Sequence, residues 1–385
     1  MYGKERPMVQ GGNAVIYLDN AATSFPKPPE VTRTVYGVME KIGGNPGRGS
    51  HKGALAGARI LETCRERACL LLGVNTPERI FFALNGTDAL NMAIKGFLHQ
   101  GDEVIVSHQE HNAVMRPLMG LQDRSLIRVR MAEPDEKGVI TPQSLQKLIC
   151  GKTALIILNH ASNVTGCLQP AAALIRFAHE KGIPVLVDAA QTAGTEDLAH
   201  LQADMIAMPG HKGLLGPMGT GLLYAAPWIE LRPFREGGTG SASESLRQPD
   251  IFPDRMESGT HNLPGIAGLC QGIRFVLQRR QEIREYEHHL ARQMENELRN
   301  MPHVQVMGHP ERQSTAVVSF NIRGKDAGEV CDHLGSMGFA LRGGLHCAPT
   351  IHAYHGTQGA VRVSPGLYST QAEIDALVSA VSKIQ

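Results

Sequence analysis

The chain has 385 residues, of which 42% are hydrophobic and 19% charged, and its formal net charge is +1. This length predicts two or three domains with a sizeable core. The near-zero charge, without a block of like charges, argues against binding to nucleic acid or to an anionic membrane surface. Apolar runs such as ALIIL are too short to span a bilayer, so we expect no membrane segment.

The first residues, MYGKERPMVQGG, lack the apolar core of a signal peptide. The seven cysteines are odd in number and widely spaced, without a C-x-x-C pair. This usage favours free thiols in a reducing compartment, and we therefore expect a cytoplasmic protein.

In chain order, short β-branched runs alternate with helical patterns as far as about residue 225. The predicted strands cover 79–84, 103–107, 154–159, 184–188, 205–208 and 221–225. The predicted helices cover 53–72, 87–98, 111–121, 142–150 and 170–181. Several of the strands are apolar throughout, as in strands buried on both faces. The alternation predicts an α/β domain with a mostly parallel sheet flanked by helices.

The pattern changes after about residue 262. The stretch from 264 to 300 reads as two successive helices, and strand and helix signals follow it to the end of the chain. No Pro/Gly/Ser-rich stretch separates the two halves, which predicts a helical linker. We expect a large domain over 17–275 and a smaller C-terminal α/β domain over 276–385. Residues 1–16 are expected to belong to the smaller domain.

Polar residues follow several predicted strands, and ligands bind beyond the carboxyl ends of strands in open parallel sheets. Asp188, with Gln191 three residues later, ends an apolar strand where a carboxylate needs a partner. That partner is either the N-terminus of a following helix or a bound cation. Asn159 and Asn163 follow another strand, where they suit either a turn or a ligand site.

Gly86, Thr87 and Asp88 lie between a predicted strand and a helix. They form either a plain helix cap or an anion site, because unpaired N–H groups point outward from a helix N-terminus. The G-x-x-x-x-G-K-[ST] and G-x-G-x-x-G fingerprints are absent, which counts against a nucleoside triphosphatase or a dinucleotide dehydrogenase. His111 follows another strand, as a structural or a catalytic histidine.

The segment MPGHKGLLGPMGTG places Lys212 just beyond a buried strand. Burial lowers the pKa of a lysine, and a neutral amine attacks aldehydes. A lysine of this kind, an anion-binding helix N-terminus and a strand-end aspartate together meet the needs of pyridoxal phosphate. They would bind its aldehyde, its phosphate and its ring nitrogen.

The motifs YLDNAATSFPKP, NPGRGSHKGAL, DAAQ, ESGTHN, LRGGLHCAP and RVSPGLYST run in order through nearly the whole chain. With them the chain resembles the class V aminotransferase-like, fold-type I pyridoxal-phosphate enzymes, and among these the cysteine desulfurases. The short loop after FALRGG is similar to that of the group II, SUF-type and selenocysteine lyase-like branch. The resemblance implies a homodimer that converts L-cysteine into L-alanine and an enzyme persulfide, which then passes its sulfur to an acceptor protein.

The resemblance also implies a role for each matching residue. Lys212 would carry the cofactor aldehyde, and His111 would stack on the cofactor ring and shuttle protons. The remaining cofactor contacts would be Asp188 to the ring nitrogen, Gln191 and Asn163 to the ring hydroxyl, and Gly86, Thr87 and His211 to the phosphate. Thr260 would reach the phosphate in the partner subunit. Pro209 departs from the family's usual Ser or Thr, so one phosphate hydrogen bond is expected to be missing.

Cys347 matches the family's persulfide cysteine. Its thiolate is the attacking species, so His346, Arg342 or a substrate proton transfer would have to assist it. Arg362 would bind the substrate carboxylate through its planar fork, with Asn163 and Arg342 beside the substrate. The alternatives for Cys347 are a core thiol, or a zinc site with His352 and His355; no metal is predicted.

Two other functions remain open from the sequence. A selenocysteine lyase would use nearly the same residues. Pro209 leaves open a catalytically silent protein that binds the cofactor.

Overall fold

The computed structural model describes residues 15–46 and 49–384. A seven-stranded sheet lies at its centre. Its strands are β2 (Ile80–Ala83), β3 (Glu103–Ser107), β4 (Arg128–Ala132), β5 (Thr153–Asn159), β6 (Val185–Asp188), β7 (Met205–Pro209) and β8 (Gly221–Ala225). Their order across the sheet is β2-β8-β7-β6-β5-β3-β4. The pairs from β7 to β4 are parallel, and β8 runs antiparallel to both of its neighbours. The predicted mostly parallel α/β sheet is confirmed.

Helices precede or connect these strands and share one apolar core with them. They are α1 (Pro29–Lys41), α2 (Lys52–Leu72), α3 (Gly86–Phe97), α4 (Asn112–Asp123), α5 (Pro142–Gln146) and α6 (Ala171–Glu180). Polar caps fix the start of two of them at the sheet edge. The Asn85 side chain accepts from the Asp88 N–H before α3, and the His111 side chain accepts from the Ala113 N–H before α4.

A single helix, α7 (Leu263–Arg299), replaces the two successive helices predicted here. Its one proline lies in the first turn, where the missing N–H costs nothing, so nothing in its interior interrupts the helix. Its first half packs in the core of the main sheet, and its second half, from Leu290, packs in a second core. The linker is thus helical, as predicted. The boundary at residue 275 stays a prediction, because α7 runs through it unbroken.

The second core is built on an antiparallel sheet. Its strands are β9 (Val304–Val306), β10 (Val318–Ile322), β12 (Arg342–Gly344) and β13 (Ala360–Val363), and its helices are α8 (Ala327–Ser336) and α10 (Gln371–Ser382). The order of the strands across this sheet is β12-β13-β10-β9. A short parallel pair joins β1 (Ile16–Tyr17) to β11 (Phe339–Ala340). The pair ties residues 16 and 17 to the C-terminal part. Residues 1–14, which we assigned to the same part, lie outside the described residues.

Four of the labelled elements escaped prediction, and the shortest of them is the two-residue strand β1. The strand β4 carries two arginines and is partly exposed, as edge strands often are. The helix α1 follows a proline-rich stretch that reads as a loop, and α9 (Pro349–His355) is too short to show a helical period. Gly47 and Arg48, within the motif NPGRGSHKGAL, are not described. Within the described ranges, no helix has the length and apolarity needed to cross a membrane.

Candidate active site

A cavity of about 340 Å³ lies beyond the carboxyl ends of the parallel strands. Its walls combine the residues that follow β2, β3, β5, β6 and β7 with two arginines of the C-terminal part. The predicted site residues in its lining are Gly86, Thr87, His111, Asn163, Asp188, Gln191, His211, Lys212, Arg342 and Arg362. Cys347 and Thr260 are the two predicted site residues that do not line it.

Lys212 and Asp188 face the same cavity. Burial lowers the pKa of Lys212 to about 8, so a fraction of its amine is neutral at physiological pH. Burial also raises the pKa of Asp188, whose Oδ1 accepts a hydrogen bond from the Ala190 N–H at 2.9 Å. The fully described stretch between Asp188 and β7 forms no helix, so the helix-cap alternative for Asp188 is wrong. The acid remains available to a cation in the cavity.

Residues of the motif YLDNAATSFPKP form hydrogen bonds to the backbone of the segment that carries Lys212. The backbone carbonyl of His211 accepts hydrogen bonds from Ser24 N at 3.1 Å, Thr23 Oγ1 at 3.1 Å and Lys27 Nζ at 2.6 Å. Ser24 Oγ also donates to the Lys212 carbonyl at 3.0 Å. These contacts fix the backbone on which the Lys212 side chain stands. They were not predicted, because they join residues more than 180 positions apart.

The N-terminus of α3 forms the opposite wall, with Gly86 and Thr87 in the cavity lining. Its unpaired N–H groups suit an anion. Beside it, Pro209 ends β7 and packs against Gly86, where an added Cβ would lie 3.3 Å from Pro209 Cδ. His211 Nδ1 is buried and has no hydrogen-bond partner among the described residues. The wall therefore offers backbone donors and one imidazole, while the proline ring stands where a hydroxyl was expected.

His111 lies at the start of α4, and its Nδ1 accepts from the Ala113 N–H at 3.0 Å. Burial and the nearby positive charges of Lys212 and Arg342 lower its pKa to about 4. The ring is therefore neutral at physiological pH. Because Nδ1 already accepts a hydrogen bond, the neutral ring carries its proton on Nε2, and such a fixed ring suits the stacking expected from the resemblance. The expected proton shuttling stays a prediction.

A buried acid that we did not predict lies directly before His111. Glu110 is fully buried, and its Oε1 accepts from Ser107 Oγ at 2.7 Å and from Asn159 N at 2.8 Å. Burial raises its pKa to about 8, so it is mostly protonated at neutral pH. It ties the ends of β3 and β5 together behind the cavity without adding a second full negative charge beside Asp188.

Arg362 lies on β13 and is 2% exposed. Its Nη2 donates to Asp19 Oδ1 at 2.7 Å and its Nη1 to the Asn163 carbonyl at 3.2 Å. Its Nε is buried without a partner among the described residues. Two of its nitrogens are thus held by the protein and the third is left for a ligand. Asp19, missed from the sequence, fixes the guanidinium through the first of these contacts.

Cys347 is half-buried at the edge of the site, and Arg342 joins it to the cavity. Arg342 lines the cavity, and its Nη2 lies 3.9 Å from Cys347 Sγ. The His346 ring instead bonds to the Ala360 carbonyl at 2.9 Å, and burial lowers its pKa to about 3. Of the two candidate helpers, Arg342 is therefore the cation beside the thiol.

Cys347, His352 and His355 do not form the ligand cluster that the zinc alternative requires. The described residues contain no group of three His, Cys, Asp or Glu side chains that could hold a metal ion. His352 instead shares a hydrogen bond with Thr357 Oγ1 at 2.9 Å.

Thr260 is exposed and lies outside the cavity, and its hydroxyl accepts a long contact of 3.5 Å from Asn45 Nδ2. Its expected role requires a second subunit and stays a prediction.

Because the fold buries neutral histidines, we expect its free energy of unfolding to depend on pH. His160 is 4% exposed, bonds to Thr192 Oγ1 at 2.9 Å, and has its pKa lowered by burial to about 4. Because the unfolded chain binds a proton near pH 6.5 and the folded chain does not, stability is full above that pH and falls down to pH 4. By pH 5 this single site costs about 2 kcal/mol.

Urea unfolding at pH 7.5 and pH 5.0 measures this loss. The His160→Gln variant, which lacks the titrating ring, is expected to lose about 2 kcal/mol less between the two pH values. An equal loss in both proteins would show that His160 is already protonated in the fold.

Comparisons with known proteins identify the family to which the chain is similar. A sequence model of the class V aminotransferases matches residues 16–377. The chain is 33% identical to a probable cysteine desulfurase of Methanothermobacter thermautotrophicus, with 96% of this chain and 94% of the relative covered. It is 31% identical to a cysteine desulfurase of Escherichia coli O157:H7, with 97% and 94% covered.

Two solved structures are also similar. The apo cysteine desulfurase of Thermococcus onnurineus superposes with a TM-score of 0.90 at 29% identity, covering 96% of this chain and 94% of that one. The cysteine desulfurase CsdA of Escherichia coli, in an S-sulfonic acid form, has a TM-score of 0.86 at 29% identity, with 96% and 94% covered.

Proposed function

Because the chain belongs to the class V aminotransferase family, among the cysteine desulfurases, we propose that it converts L-cysteine into L-alanine and a persulfide on Cys347 with the help of pyridoxal phosphate. One observation carries the proposal. A lysine of lowered pKa and a strand-end aspartate share one cavity, and a cysteine lies at its edge beside an arginine. A binding protein or an aminotransferase has no use for that thiol.

The cavity suits pyridoxal phosphate. Asn163 Oδ1, His211 Nδ1 and Arg362 Nε are buried polar atoms without partners among the described residues, on three walls of the cavity. Such atoms are costly unless a ligand satisfies them. Lys212 would hold the cofactor aldehyde and Asp188 its ring nitrogen, with Gln191 near the ring hydroxyl and His111 over the ring. Gly86, Thr87 and His211 would hold the phosphate.

When bound, the cofactor supplies a ring that stabilises negative charge on the substrate's α-carbon. Arg362 would bind the substrate α-carboxylate and orient the amino acid. Lys212 Nζ, partly neutral, would take the proton from the α-carbon and return it later. His111, also neutral, would lie over the cofactor ring and present its Nε2–H to it, because its Nδ1 accepts from the Ala113 N–H.

Cys347 would then perform the sulfur transfer as a thiolate, with Arg342 stabilising its charge at 3.9 Å. Its Sγ forms a bond to the substrate sulfur while the bond between that sulfur and the β-carbon breaks. The electron pair of the broken bond stays on carbon, which takes up a proton to give alanine. The sulfur is left as a persulfide, and no external oxidant or reductant is consumed.

Parallel assays of alanine release from L-cysteine, L-selenocysteine and L-cysteine sulfinate test this function. A desulfurase forms alanine and persulfide from cysteine. Activity toward selenocysteine alone would indicate the selenocysteine lyase. No product from any of the three, with the cofactor bound, would indicate the silent protein that Pro209 left open.

Replacing Arg362 should weaken catalysis. Losing one half of a buried charge pair costs about 2–5 kcal/mol, and each 1.36 kcal/mol is a factor of ten. The Arg362→Ala variant is therefore expected to lower kcat/KM for L-cysteine at least about tenfold. The matched control is Arg128→Ala, whose side chain is 68% exposed. A change below about threefold in a folded Arg362→Ala protein would place the carboxylate elsewhere.

We also propose an acceptor protein for the sulfur. Only residues 345–348 separate β12 from α9, and the Cys347 carbonyl accepts from the Asn112 N–H at 2.7 Å. A thiol on so short a loop has little reach, so the acceptor has to present a reactive thiol at the edge of the cavity.

Removal of the persulfide should therefore limit turnover. Rapid quenching with L-cysteine is expected to show a burst of about one alanine per site and then a slow phase. Dithiothreitol should raise the slow phase and leave the burst amplitude unchanged. Alanine formation that is linear in time and does not change when thiols are added would rule out persulfide removal as the limiting step.

A homodimer in a reducing compartment completes the proposal. Leu246 and Ile251, 106% and 65% exposed, lie on the same segment as Thr260 and suit a subunit interface. Thr260 would then reach the phosphate in the partner subunit. All seven cysteines are free, as expected in the cytoplasm.

A further inference from the structure

We propose that Asn163 is a positioning residue for the nucleophile, because its side-chain amide holds the loop that carries Cys347. The inference rests on the proposed role of Cys347. It gives Asn163 a function separate from the cofactor contact that the sequence suggested.

The amide group of Asn163 is committed to this loop. Asn163 is 5% exposed, and its Nδ2 donates to the His346 carbonyl at 2.7 Å. Its Oδ1 is buried without a partner among the described residues and belongs to the wall of the cavity. The second N–H of Nδ2 and the Oδ1 acceptor remain for a ligand. Asn163 can therefore hold the loop and still contact the cofactor or the substrate.

The loop needs to be held. His346 and Cys347 have φ angles of +50° and +58°, two successive non-glycine residues in the left-handed region. Such conformations cost about 1–3 kcal/mol each and persist only when their surroundings enforce them. Three hydrogen bonds to residues outside the loop do so here: Asn163 Nδ2 to the His346 carbonyl, Asn112 N to the Cys347 carbonyl, and the His346 ring to the Ala360 carbonyl. Of these, only the first depends on the side chain of a residue outside the loop, which can be replaced without changing the loop itself.

Asn163 also joins the loop to the proposed carboxylate site. Its backbone carbonyl accepts from Arg362 Nη1 at 3.2 Å, while its side chain bonds to the residue before Cys347. Asn163 thus contacts both the arginine that would bind the carboxylate and the loop that carries the attacking sulfur, so it helps to set the distance between these two groups.

The test is the alkylation of Cys347 by iodoacetamide in the protein as purified, followed by peptide mass spectrometry across a range of pH. At high pH the rate reaches a plateau at which the thiol is fully ionised, so the plateau reports access and orientation rather than pKa. Asn163→Asp keeps the shape and the free acceptor but loses the donor. Its plateau rate is expected to rise about fivefold or more, the factor for one lost hydrogen bond.

Two other cysteines serve as internal controls. Cys150 is exposed, and its rate should be the same in both proteins. Cys64 is fully buried and should stay unmodified while the fold is intact. Asn163→Ala, which also lacks the donor but adds no charge, decides the question if Asn163→Asp exposes Cys64.

A plateau rate within about twofold of the wild type, in a variant that protects Cys64, would overturn the inference. Alkylation requires no turnover. A wild-type protein that forms no alanine from L-cysteine would contradict the proposed function, whereas unchanged alkylation would contradict the inference alone.

Discussion

The Lys212→Ala variant loses the visible absorbance of bound pyridoxal phosphate, and its turnover of L-cysteine falls by at least about a hundredfold. Lys212 faces the cavity with its pKa lowered to about 8, and its backbone is fixed by the segment around Ser24. It supplies both the amine that binds the cofactor and the group that moves the substrate's α-proton. Removing it abolishes two functions at once, which makes this the largest effect expected from any single replacement.

The readouts are the absorbance spectrum of the purified protein and the rate of alanine release. Lys137→Ala is the control, because Lys137 is exposed, pairs with Glu311 at 2.8 Å and does not line the cavity. It should keep both the spectrum and the rate. A Lys212→Ala protein that retains the visible band and the wild-type rate would show that another amine binds the cofactor.

Replacing Cys347 should separate cofactor chemistry from sulfur chemistry. Cys347→Ala removes the sulfur beside Arg342 but none of the residues that line the cavity. We therefore expect it to bind pyridoxal phosphate normally and to show the spectral change caused by L-cysteine. Release of alanine and sulfide should fall to background, since none of the described residues that line the cavity carries a thiol.

Cys150→Ala is the matched control, since Cys150 is an exposed free thiol. Undiminished desulfuration by Cys347→Ala would contradict the persulfide role. Activity retained toward selenocysteine alone would instead support the lyase, because selenium can leave without attack by a thiolate.

Much of the site was predictable because strand ends converge in a parallel sheet. Asp188, His111 and Lys212 each follow an apolar strand, and the topology brings all three to one edge. The pattern around each strand was local and therefore readable from sequence.

The contacts that hold these residues were not predictable. Asp19 pairs with Arg362 across 343 positions, and Lys27 binds the His211 carbonyl across 184. Asn163 bonds to a backbone carbonyl next to Cys347, and a backbone acceptor leaves no mark in the sequence. The sequence did not predict that α7 is one continuous helix, and the reason is different. Its charged second half forms part of a second core, which a local pattern does not reveal.

A single turnover shows most directly whether Cys347 takes up the sulfur of the substrate. The cofactor-loaded protein is mixed with one equivalent of L-cysteine, without any reducing thiol, and quenched. Alanine is then counted, and the Cys347 peptide is weighed by mass spectrometry. We expect one alanine per chain and a Cys347 peptide heavier by one sulfur atom. Alanine formed with the added sulfur on another cysteine, or with no sulfur on the protein, would contradict this expectation.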